Sequence, residues 1–177
     1  MMEIRRFYKE DANALSVLIR RTLVEVNSAD CPKEEIDFLY GLYTPEKVIR
    51  NAETGHTYVL EEDGAILGTG TILATEQAGE SEIVAAFLAP ETIGRGLGRK
   101  LFEALESDIL FTGAERVWLT SSITALKFYE KMGYTYEGGF CHKNEDDLIV
   151  MEKFPTRRES GSVFRRKTFL KENEKKC

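Results

Sequence analysis

The stretch PETIGRGLGRKLFEALE, residues 90 to 106, sets glycines at 94, 96 and 98 directly before an apolar pattern with helical spacing. It follows a strand-like run, SEIVAAFLA. A strand, a glycine turn and a helix N-terminus aim several unpaired backbone N–H groups at one point, and the helix dipole adds partial positive charge there. Such a turn suits a pyrophosphate. Glycine matters because a side chain would hold the oxygens away from the amides, and because alternate residues there need positive φ. Arg95, Arg99 and Lys100 bring cationic side chains to the same corner. With several amides each giving a charge-assisted bond of about 1.5–3 kcal/mol, the turn holds a phosphate group without a metal. A turn shaped only by packing accounts less well for three glycines combined with Arg95.

The spacing excludes two familiar phosphate loops. A dinucleotide fingerprint requires G-x-G-x-x-G, but position 99 is Arg, and no acidic residue stands out at the end of a following strand for a ribose. A P-loop requires Gly-Lys-Ser/Thr, whereas Gly98 is followed by Arg99 and Lys100.

Around this turn the chain reads as alternating elements. MEIRRFYKE is a first strand, and Asp11 opens a helix whose stripe is Ala14, Leu15, Leu18, Ile19, Leu23 and Val24. Residues 28–51 mix Pro32, Pro45 and Gly41 with short helical patches. HTYVLEEDGAILGTGTILA is a hairpin turning at Glu62, Asp63 and Gly64. After the glycine turn a helix runs to about Phe111, with Leu97, Leu101, Leu105 and Ile109 as its anchors. A strand RVWLTS, a helix ITALKFYEKMG and strands near YTYEGGF and DLIVMEKF complete the order. This order predicts an α/β or α+β domain built on a mixed sheet.

At 177 residues the chain fits one domain with a full core. The expected division is a domain over 1–154 and a basic C-terminal tail over 155–177. The first segment has 16 Lys plus Arg against 27 Asp plus Glu, and the tail has 8 against 3. An acidic body argues against nucleic acid and is compatible with a cationic substrate. No apolar run reaches the length of a membrane span and no signal-like segment opens the chain, so no membrane association and a cytoplasmic location are expected. Cys31, Cys141 and Cys177 are odd in number with no CxxC spacing, which suggests neither a disulfide framework nor a metal site, and structural or incidental thiols are the favoured reading.

The residues now resemble the GCN5-related N-acetyltransferases, the GNAT superfamily, whose acetyl-CoA signature is Gln/Arg-x-x-Gly-x-Gly/Ala after a strand. Gly96 and Gly98 match its glycines, and Ile93 stands where the family prefers Gln or Arg. A second motif, SSITALKFYEKMGY, is similar to the family's Asn-x-x-Ala followed by Tyr-Glu-Lys-x-Gly-Phe/Tyr. Ala125, Tyr129, Glu130, Lys131, Gly133 and Tyr134 match it, and Ser122 replaces the Asn. The similarity covers roughly residues 2 to 154.

The resemblance implies a mixed, mostly antiparallel sheet of about seven strands flanked by helices and splayed at the fourth strand, with acetyl-CoA as cosubstrate in the opening. Phe87, Leu88 and Ala89 would bond the pantetheine arm through the backbone, with an N–H near Leu88 polarising the thioester carbonyl. Gly94, Arg95, Gly96, Leu97, Gly98 and Arg99 would hold the pyrophosphate, and Ser122, Ala125 and Tyr129 would complete the cofactor side. Glu82 aligns with the general base of the histone-acetylating branch, and an edge glutamate facing water is an equal reading of it. Tyr129 falls where the family places the acid that protonates the leaving thiolate.

The implied activity is direct acetyl transfer to a primary amine in a ternary complex, the acceptor being a small amine, an amino acid or a peptide or lysine amine. A non-catalytic acyl-CoA-binding regulatory module is the rival reading, and a homodimer is compatible with both. His56 and His142 read as surface or edge histidines. The acceptor side is expected from residues 25–43, the hairpin and the last strands, with Glu25, Asp30, Glu34, Glu35 and Asp37 as acidic candidates and Tyr40 and Tyr43 as an apolar wall.

Overall fold

The computed structural model describes residues 1–144 and 148–155, so all of the tail beyond Pro155 lies outside the described residues. In chain order the elements are β1 (Met2–Arg6), α1 (Ala12–Glu25), α2 (Lys33–Leu42), α3 (Pro45–Thr54), β2 (His56–Glu62), β3 (Ala65–Ala74), β4 (Glu80–Leu88), α4 (Leu97–Glu106), α5 (Ile109–Thr112), β5 (Arg116–Ser121), α6 (Leu126–Lys131), β6 (Thr135–Tyr136) and β7 (Ile149–Lys153). The strands form one seven-stranded sheet in the order β1-β2-β3-β4-β5-β7-β6. Every pairing is antiparallel except β4 with β5.

Strand alternation divides the apolar residues between two faces. Val59 and Ala89 join Leu15, Ile19, Leu23, Ile36 and Val48 in one cluster, under α1, α2 and α3. Leu60 and Ile72 join Leu101, Leu105, Leu119 and Met151 in the other, under α4. The turn between β2 and β3 uses Asp63 at φ 50° and Gly64 at φ 82°, the left-handed pair that a two-residue hairpin needs.

Some local expectations are corrected. Asp11 does not cap α1 with its side chain. Its carboxylate accepts instead from the Tyr8 N–H at 2.8 Å and from the Arg5 guanidinium at 2.8 and 2.9 Å, because a buried carboxylate is better satisfied by a bidentate cation. In the α1 stripe Leu15, Leu18, Ile19 and Leu23 are buried, but Ala14 and Val24 face outward. The helix after the glycine turn ends at Glu106, since Asp108 accepts from the Leu110 N–H at 2.8 Å and starts a separate turn. Ile109 is therefore 71% exposed, and Leu97, Leu101 and Leu105 anchor the helix together with Phe102. Cys141 is disulfide-bonded, although the odd cysteine number suggested no disulfide framework.

Two irregularities shape β4. Thr69 pairs with Phe87 and Thr71 with Val84, which leaves one extra residue on β4, and Ala85 there takes φ 53°. This is a β-bulge, and it bends the strand. The parallel pairing with β5 runs only from Glu80–Arg116 to Ile83–Leu119, although β4 continues to Leu88. Beyond Ile83 the two strands part.

Leu105 is fully buried and lies so close to Gly70 that a Cβ on that glycine would stand 2.9 Å from its Cδ1. Leu105→Ala is expected to lose about 2–5 kcal/mol in urea unfolding followed by circular dichroism.

Candidate active site

The parting of β4 from β5 opens a cleft of about 760 Å³. Its floor is β4 from Glu82 to Leu88, one end is the glycine turn and α4, and the other lies between α1 and α2. The strand ends supply backbone rather than side chains. Ala89 N–H donates to Leu67 O at 2.8 Å. Alternation along an antiparallel ladder then turns Phe87 toward β3 and Leu88 into the opening. The Leu88 carbonyl accepts there from Thr22 Oγ1 at 2.9 Å, and the N–H of Leu88 points the same way. Of the three backbone positions expected along this strand, Leu88 alone offers its amide to the cleft. Ala89 does not line it, and Phe87 lines it with its ring, edge-on to Tyr43 at 5.5 Å.

The glycine turn has the geometry that its sequence requires. Gly94 and Gly96 have φ of 84° and 76°, and a Cβ on either would meet nothing within 4 Å, so the left-handed backbone and not crowding by the protein demands glycine. Gly96 is the N-cap of α4 and gives it no side-chain bond. Among the described residues the amides of Gly94, Gly96, Leu97, Gly98 and Arg99 have no partner outside the helix, and all five residues line the cleft. Arg95 departs from expectation: its amide donates to Thr92 O at 3.1 Å, its guanidinium bonds Glu62 at 2.8 Å, and it does not line the cleft. Gly98 has a second role, because a Cβ there would stand 3.1 Å from the Phe128 ring.

The opposite wall is α6 and the 3-10 turn Ile123–Ala125 that leads into it. Ser122, Ala125, Phe128 and Tyr129 all line the cleft. Tyr129 is held edge-on by Phe102, Phe128 and Tyr134 at 5.2–5.9 Å. Its burial pushes the phenol up to about 12, so it keeps its proton throughout the neutral range. Ser122 makes no capping bond. Instead Asp30, from the loop after α1, reaches across to accept from Thr124 N at 2.6 Å and from its hydroxyl.

Glu82 also lines the cleft, so of its two readings the inward one describes its position. Desolvation raises its carboxyl above the usual range, and Lys47 opposes this weakly. Desolvation likewise pushes the Tyr43 phenol up to about 12, with the Glu82 charge adding to it.

The other acidic candidates disperse. Glu25 pairs with Arg21 and Asp37 with Lys33, and of the helical acids only Glu35 lines the cleft. Tyr40 lies outside it, with Arg20 stacked 5.0 Å from its ring. His56 is bound to buried Asp108 at 2.8 Å, and His142 lies 3.4 Å from Glu137; neither touches the cleft. The described residues contain no metal-binding cluster, and none of their helices is long and apolar enough to cross a membrane. Phe102 and Asn27 line the cleft without any motif to announce them, and Lys131, from the second motif, lines it too.

Residues 20–134 match the model of the acetyltransferase (GNAT) family. The chain belongs to that family. Among curated relatives, this GNAT protein is 28% identical over 99 residues to the IAA acetyltransferase of Azospirillum brasilense and 26% identical over 103 residues to the amino-acid acetyltransferase of Ralstonia nicotianae. Those alignments cover 54% and 58% of the chain, and 65% and 21% of the relatives, so the chain spans less than two thirds of either. The fold is shared with PaiA N-acetyltransferase from Thermoplasma acidophilum, solved in complex with coenzyme A, at a TM-score of 0.73 and 19% identity over 87% of this GNAT chain and 99% of the other.

Because its folded-state carboxyl is raised, Glu82 costs no stability below the ordinary carboxylate range and costs more as pH rises and it ionises. Glu82→Gln is therefore expected to raise the melting temperature by about 2 °C at neutral pH. The gain should vanish near pH 4 in a scan by differential scanning fluorimetry.

Proposed function

We propose that the protein is an acetyl-CoA-dependent N-acetyltransferase that moves the acetyl group directly to a primary amine within a ternary complex. The observation that carries this is one cleft with three parts. An uncapped glycine turn stands at one end, Glu82 lies on the floor, and the phenol of Tyr129 belongs to the facing helix. The turn suits a pyrophosphate because its amides are open and its glycines leave the ligand side clear. Relatives are named acetyltransferases, and a structural neighbour was crystallised with coenzyme A.

An aliphatic ammonium loses its proton only near pH 10.4, so transfer at neutral pH needs a base. Glu82, its basicity increased by burial, takes the ammonium proton and passes it to solvent. The neutral nitrogen attacks the thioester carbonyl, forming the C–N bond, while the Leu88 amide stabilises the oxygen as it gains charge. The C–S bond then breaks, Tyr129 gives its proton to the departing thiolate, and the proton shed by the new amide nitrogen restores the phenol by way of solvent. The balance is one acetamide, one free thiol and one proton released. We place the reaction in the cytoplasm, with acetyl-CoA and an amine as partners.

The reading is tested by incubating the protein with acetyl-CoA and a panel of amines and following free thiol. Binding of acetyl-CoA without thiol release above buffer would favour the non-catalytic module. Tyr129→Phe is expected to lower kcat by about 10²- to 10⁴-fold while leaving acetyl-CoA affinity nearly unchanged. An unaltered kcat, with chemistry shown to be rate-limiting, would sink that role. Ile93 is 56% exposed on the rim of the cleft, beside the turn. Ile93→Gln is expected to tighten acetyl-CoA in a calorimetric titration, and no gain would mean that the backbone holds the pyrophosphate alone.

A further inference from the structure

Thr22 stands in the second half of α1 with its side chain buried, and it lines the cleft with Leu88. Its hydroxyl lies 2.9 Å from two carbonyl oxygens, Leu18 O in its own helix and Leu88 O on β4. A hydroxyl has one proton to donate. Leu18 O already accepts in the ladder of α1, whereas Leu88 O belongs to the stretch of β4 that has parted from β5. A carbonyl withdrawn from water without a donor is costly, so the proton serves Leu88. A threonine inside a helix ordinarily bonds back to its own i−4 carbonyl and does no more. Here the same hydroxyl also reaches a strand 66 residues along the chain.

Resting on the N-acetyltransferase reading, we propose that Thr22 is a positioning residue for acyl transfer: by holding the Leu88 carbonyl it aims the Leu88 amide at the thioester oxygen. In an extended strand the N–H and C=O of one residue point to the same side, so a bond that fixes one directs the other. Toward β3 the strand is held by the pairing of Phe87 with Thr69 and by the Ala89 amide, which donates to Leu67 O at 2.8 Å. Thr22 supplies the hold on the open side, where the β5 ladder has ended. The helix is a firm base for it, because Leu15, Leu18, Ile19 and Leu23 are buried in the core. The hydroxyl acts on charge as well as on geometry. An unpaired Leu88 carbonyl would face the side on which the thioester oxygen gains negative charge, and a hydrogen bond from Thr22 offsets that repulsion.

Thr22→Val matches the side chain in shape and removes the hydroxyl, whereas Thr22→Ser keeps the hydroxyl. Thr22→Val is expected to slow acetyl transfer in a single turnover by about 10- to 100-fold, with acetyl-CoA affinity little changed by calorimetry, and Thr22→Ser to restore most of the rate. Packing alone would not move the thioester carbonyl stretch of acetyl-CoA isotope-labelled at that carbon, read by infrared difference spectroscopy on the loaded protein without an amine. The stretch should lie higher in Thr22→Val than in the parent, because a misdirected amide polarises the carbonyl less, and return with Thr22→Ser. If Thr22→Val does not fold, Thr22→Cys takes its place with a smaller shift in the same direction, since a thiol is a weak donor. An unchanged single-turnover rate in the variant lacking the hydroxyl, an equal loss in Thr22→Ser, or the same carbonyl frequency in all proteins would overturn the proposal. If no amine releases thiol, the acetyltransferase reading fails, and the carbonyl frequencies still decide whether Thr22 directs the amide.

Discussion

Beyond Ile83 the backbone of β4 loses its partner on the β5 side, and the cleft is built on that release. Buried peptide groups are seldom left unpaired, so a strand in the middle of a sheet can give up a ladder only where something else will take its place. The bulge at Ala85 bends β4 away, the Thr22 hydroxyl takes one freed carbonyl, and the Leu88 amide is left facing the opening. A single extra residue on one strand thus creates both the space and the polar group that the space uses.

The glycine turn depends on the same break. Pro90 ends the extended run at the lip of the opening, and the Thr92 hydroxyl and amide both donate to Ala89 O, at 2.6 and 2.9 Å. The turn is therefore fixed on the strand side, while Leu97, Leu101 and Leu105 fix α4 in the core. Amides held at both ends need no rearrangement to meet an anion, which is why a turn rich in glycine can still be rigid. On the facing wall the ring of Phe128 fits against Gly98, so the anion end and the helix carrying Tyr129 are packed as one piece.

The end of the cleft between α1 and α2 is tied to this piece by a contact between distant parts of the chain. Asp30 supplies to the turn before α6 the hydrogen bonds that Ser122 does not make. The loop after α1 thereby touches the wall that carries Tyr129. Polar side chains elsewhere are spent on structure, as Arg116 shows by bonding Glu80, Glu137 and Glu152 at 2.5–3.0 Å. Among the described residues the acidic side chains on the cleft wall are Glu35 and Glu82.

Periodicity and turn chemistry were enough to read the strand and helix order, the hairpin at Asp63–Gly64 and the uncapped glycine turn, because each depends on neighbours within about one turn of chain. Gly94 and Gly96 required glycine for their own φ, and that requirement is visible in the residue type. The roles of Arg95, Ala89, Ile109 and Asp30 were not visible, since each was decided by a partner far along the chain or by a break in a helix: Glu62, Leu67, Asp108 and Thr124. The sequence alone determined which local shapes the chain could adopt, among them a glycine turn with open amides. Only the tertiary structure decided which carboxylates and tyrosines share the cleft, because burial and charge pairing depend on what the other walls bring to the same space.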